Sequence, residues 1–89
     1  MNAQALDEHG RLTGELADLL VARGQTSSMA VTVRAQTFES MQSQGVAITA
    51  AREAAISSTA RWDAEVADLT GRIDALRAKL RHLELILEG

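Results

Sequence analysis

Residues 62–87, WDAEVADLTGRIDALRAKLRHLELIL, decide the fold. Within them Trp62, Val66, Leu69, Ile73, Leu76, Leu80, Leu83 and Leu87 follow one another at alternating spacings of four and three. An α-helix turns once in about 3.6 residues, so this alternation lays all eight side chains along one stripe. Such a stripe packs along another helix. The β-branched Val66 and Ile73 at one core position, with leucine at the other, favour two-stranded parallel pairing in simple coiled coils.

The composition narrows the fold class to all-α. The chain has 89 residues and a hydrophobic fraction of 46%, but 16 of those residues are alanine and only two are aromatic. A globular core built from these would be thin. Alanine, leucine and arginine favour helix, proline is absent, and the β-branched residues do not alternate as in strands. With no cysteine, disulfide and thiolate chemistry are excluded. The net charge of −3 is spread over both halves, without the basic footprint of a nucleic-acid binder. No apolar run reaches the ~18 residues of a membrane span. The first residues lack a basic stretch followed by an apolar one, which predicts no signal peptide and a cytoplasmic location.

Upstream of the seam, Ser43-Gln44-Gly45-Val46 supplies a glycine suited to a left-handed helix end. Thr49 is a candidate cap for the next helix, with Glu53 in its first turn. The layout predicts a single helical domain over 1–89: a first arm over 2–44, a turn at 45–48, and a second arm running as one helix over 49–88. Two arms of equal length on a short connection predict an antiparallel hairpin, with residue i facing about residue 94 − i. Leu6, Leu12, Leu16, Leu19 and Leu20 then lie opposite 73–88, Phe38 opposite Ile56, and Val31 opposite Trp62. Arg23-Gly24-Gln25-Thr26-Ser27-Ser28 is poor in helix formers and predicts a kink or break in the first arm. Four i,i+4 ion pairs are expected on solvated faces: Asp7–Arg11, Arg11–Glu15, Arg61–Glu65 and Asp68–Arg72.

Apolar residues outrun a single stripe. Leu85 and Ile86 flank the seam, and Leu19-Leu20-Val21 does the same in the first arm. This excess predicts more than one packed neighbour, and hence a homo-oligomer, a dimer first, assembling into a helical bundle. Its expected interface comprises the eight seam residues with Leu85, Ile86, Leu16, Leu19 and Leu20. A different protein using the same surface is the rival partner.

Chemistry-bearing patterns are few. His9 and His82 would lie at matching heights, with Glu8 or Glu84 near, but no His-x-x-x-His or Glu-x-x-His motif supports a metal site. Asp63, Glu65 and Asp68 form an acidic cluster beside Arg61 and Arg72, without the pocket that catalytic carboxylates require. No catalytic residue, metal or other cofactor is therefore expected. Arg72, Arg77, Lys79 and Arg81 are the candidate nucleic-acid contacts, for an accessory protein of recombination or DNA processing. They divide between opposite sides of the helical wheel, whereas a groove would gather them on one face with an aromatic. Trp62 is expected to fill core beside Val31.

The stretches 45–55, 63–66 and 74–84, rich in Ala, Arg, Leu and Glu, resemble small helical proteins encoded by actinobacterial phages over residues 30–88. The resemblance implies an accessory role in phage assembly, DNA processing or inhibition of a host protein, and it assigns no site residues. A comparison with the secreted hairpins of type VII secretion fails on two signals. Gln44-Gly45 stands where those carry Trp-x-Gly, and tyrosine is absent. The function expected is a non-enzymatic protein that self-associates and binds another protein.

Overall fold

A computed structural model describes residues 2–89. Three helices follow in order: α1 (Ala3–Ser43), α2 (Ile48–Ser58) and α3 (Ala60–Glu88). α1 folds back on α2 and α3 to give an antiparallel, all-α hairpin measuring 67 × 16 × 15 Å. The Asn2 side chain caps α1 by accepting from the Ala5 N–H at 3.0 Å.

Gly45 makes the turn. It has the sole positive φ among the described residues, +82°. Its N–H donates to the Gln42 carbonyl, and the Val46 N–H reaches back to Met41, each at 3.0 Å. These two bonds form a Schellman motif, with half-buried Val46 and Met41 as its apolar pair. A side chain at this φ is strained by about 1–2 kcal/mol. Gly45→Ala is expected to lower the melting temperature by about 5–10 °C in a thermal melt followed by circular dichroism. The expected cap at Thr49 is displaced: α2 begins at Ile48, after an Ala47 that makes no side-chain capping bond.

The fold-back register departs from the expected one by a single residue. His9 meets Glu84, Arg23 meets Thr70 and Arg34 meets Thr59, so residue i faces 93 − i. Ala5, Leu12, Leu76, Leu80 and Leu83 form the buried cluster near the open end, with Leu16, Leu19 and Leu87 packed on it. α1 carries its own seam at alternating spacings of four and three. Ala5, Leu12 and Ala30 are buried, and His9, Leu16, Leu19, Arg23, Thr26, Val33 and Thr37 are half-buried between them.

The interruption falls in the second arm, not the first. α1 is continuously helical through residues 24–28, while the expected single helix over 49–88 divides at Thr59 (φ −109°, ψ 5°). Ser58 and Thr59 turn their hydroxyls onto the carbonyls of Ala55 and Ile56, competing with the helix ladder. The apolar spacing changes here too. Buried Ala51, Ala55 and Thr59 are four apart, and Trp62 follows after three. This eleven-residue step is a stutter that locally unwinds helix pairing. In α1 the seam spacing passes through 24–28 unaltered, so packing holds the helix together.

Candidate interaction surface

Polar ties across the hairpin set its register. Thr59 is fully buried. Its hydroxyl accepts from Arg34 Nη2 at 2.9 Å, and its single proton is shared between two acceptors in reach, Asp63 Oδ2 at 3.0 Å and the Ile56 carbonyl at 3.2 Å. Arg34 Nη2 also lies 3.0 Å from both Asp63 carboxylate oxygens. Asp63 occupies the first turn of α3, where a negative charge suits the helix dipole. The break in the second arm is thus clamped to α1 with every buried side-chain polar atom partnered among the described residues. Toward the open end, Arg23 donates to Thr70 at 3.4 Å, and His9 Nε2 lies 3.2 Å from Glu84 Oε1.

The expected interface residues divide into two groups. Leu69, Ile73, Leu76, Leu80 and Leu83 are buried within the single chain, with Trp62, Val66 and Leu87 half-buried beside them. Leu16 and Leu19 join the core cluster, and Leu20 is half-buried. Within the single chain the seam is therefore filled by its own α1. Leu85 and Ile86 stay outside, 63% and 45% exposed, and Leu6 is exposed on α1 at about the same height in the 93 − i register. Val31 does not face Trp62: it points outward, and buried Ala30 takes the inner position. Arg61 lies over the Trp62 ring, 5.6 Å from its centroid. Of the four expected i,i+4 ion pairs, Arg11–Glu15 closes at 2.8 Å, and Arg11 also approaches Glu8 at 3.8 Å.

Arg72, Arg77, Lys79 and Arg81 are all exposed on α3 and remain divided between the two flanks of the seam. His82 is exposed and takes no part in the His9–Glu84 contact. No group of three metal-ligating side chains gathers among the described residues. Near the turn, Val31, Ala35, Phe38, Ala55 and Ile56 line an open apolar groove between α1 and α2, with Arg34 and Arg52 at its edges. Another open depression runs along the outer side of α1 beside Val21, Gly24, Gln25 and Ser28. Sequence reasoning missed both surfaces. Their signal is an apolar row in α1 that stands off the inner seam, diluted by glycine, serine and alanine. These features offer contact area and no reactive constellation. No protein-family model, curated protein or solved structure significantly matches this chain.

Proposed function

We propose that the protein is a non-enzymatic helical interaction protein that self-associates and presents the resulting bundle to another protein. One observation carries this reading. Large apolar residues remain outside a hairpin whose inner seam is already filled: Leu6, Leu85 and Ile86 at the open end, Val21, Met29 and Val31 along α1, and Ile48 and Ile56 near the turn. Scattered exposed apolar residues are ordinary, but groups of them on so slim a molecule favour an association surface. Combined with the resemblance to phage-encoded helical proteins, the reading extends to an accessory protein acting on a phage or host component. Multi-angle light scattering at micromolar concentration is expected to give twice the chain mass of 9.5 kDa. A well-folded species at the chain mass would refute self-association.

A further inference from the structure

α1 carries a second row of residues outside its inner seam, facing solvent as far as Ser28 and bordering the α1–α2 groove at Val31, Ala35 and Phe38. The row steps from Gly10 to Phe38 by four and three residues in alternation, with no charged residue at any position. The inner seam keeps the same rhythm, so the two rows hold a constant angle along the helix. Three outer positions are glycine: Gly10, Gly14 and Gly24. A Cβ at any of them would meet nothing within 4 Å, so nothing inside the hairpin calls for glycine there. Each glycine costs a helix interior about 1 kcal/mol relative to alanine. The row also leaves Val21 and Val31 each 60% exposed and ends at Phe38 in the apolar groove.

We propose that α1 of a second copy covers this row, the two helices running antiparallel about a two-fold axis near Gly24. The inference rests on the self-association reading and names the surface it uses. Size complementarity favours this occupant. With residue i facing about residue 48 − i, Gly10 receives the second copy's Phe38, Ala17 receives its Val31, and Val21 meets its Ser28. Gly24 meets its own equivalent, so the backbones can approach closely. A parallel pairing would set Gly10 against Gly10 and Phe38 against Phe38, leaving a gap at one end and crowding the other. Charge complementarity points the same way. On the flank of the row, Arg11, which already pairs with Glu15, lies within two residues of the height of the second copy's Glu39, twice by symmetry. Glu39 makes no ion pair within its own chain among the described residues.

The native chain has no cysteine, so introduced ones report contacts cleanly. Under mild oxidation, Gly24→Cys is expected to form a disulfide-linked dimer and Gly10→Cys is not. A mixture of Gly10→Cys and Phe38→Cys is expected to yield the mixed dimer. In parallel, Gly24→Arg sets two guanidinium groups face to face and should weaken dimerisation at least tenfold. Its helical melt should be no lower than that of the native monomer, because arginine forms helix better than glycine. Self-linking at both 24 and 10 would overturn the antiparallel arrangement. A dimer that Gly24→Arg leaves intact, with no link at 24, would overturn this surface while self-association stands. A monomeric native protein would overturn both.

Discussion

Ile73→Asp is expected to unfold the hairpin at 25 °C. Ile73 is fully buried midway along α3, at the height of Leu20 in the 93 − i register. The substitution removes a side chain whose burial stabilises by about 2–3 kcal/mol. It also leaves a carboxylate in the seam without a partner, which adds about 3–5 kcal/mol when a buried charge is uncompensated. A domain of this size holds about 5–13 kcal/mol in all. Far-ultraviolet circular dichroism should therefore show most of the helical signal lost, and gel filtration an expanded chain. Native helicity and hydrodynamic size in the variant would refute the placement of Ile73 in the interior.

Leu83→Ala and Leu85→Ala, two residues apart, should part company sharply. Leu83 is 8% exposed and packs in the cluster with Ala5, Leu12, Leu76 and Leu80. Its truncation should destabilise by about 2–3 kcal/mol, a thermal midpoint about 10–20 °C lower for a chain of this length. Leu85 points into solvent, and its truncation should change stability by less than about 0.5 kcal/mol. Urea melts of both variants, run at one protein concentration at which the chain is monomeric, measure the contrast. Equal losses at the two sites would mean that α3 is rotated from the orientation described.

The parts of the fold that were readable from sequence are those written in large apolar residues. The α3 seam, the glycine at the turn and the fold-back register all rest on leucine spacing or on Gly45, and they stand within a residue of expectation. α1's seam was not readable, because His9, Arg23, Thr26 and Thr37 occupy seam positions where polarity masks the period. Those side chains reach partners across the arms, or lie half-buried between apolar layers, so the register survives their polarity. The break also lies away from the stretch that propensity alone singles out. Gly24 and its serines suggested a break by propensity alone, whereas a continuous seam overrides propensity there. At Ser57-Ser58-Thr59 a run of hydroxyl residues coincides with a stutter, and the two together end the helix. Of the residues expected at an interface, the seam is filled from within the chain, whereas Leu85 and Ile86 stay exposed. Under the proposed self-association, Leu85, Ile86 and the outer row of α1 are the apolar surfaces left outside the hairpin.

Double electron–electron resonance on a chain carrying Thr13→Cys and Arg81→Cys tests the intrachain closure of the leucine seam most directly. Both sites are exposed and lie nearly opposite each other across the arms. Labelled protein diluted into excess unlabelled protein should give one distance below about 30 Å, from a helix separation near 10 Å plus the label arms. A distance beyond about 80 Å, or a short distance that vanishes on dilution, would mean that the arms pair between chains rather than within one.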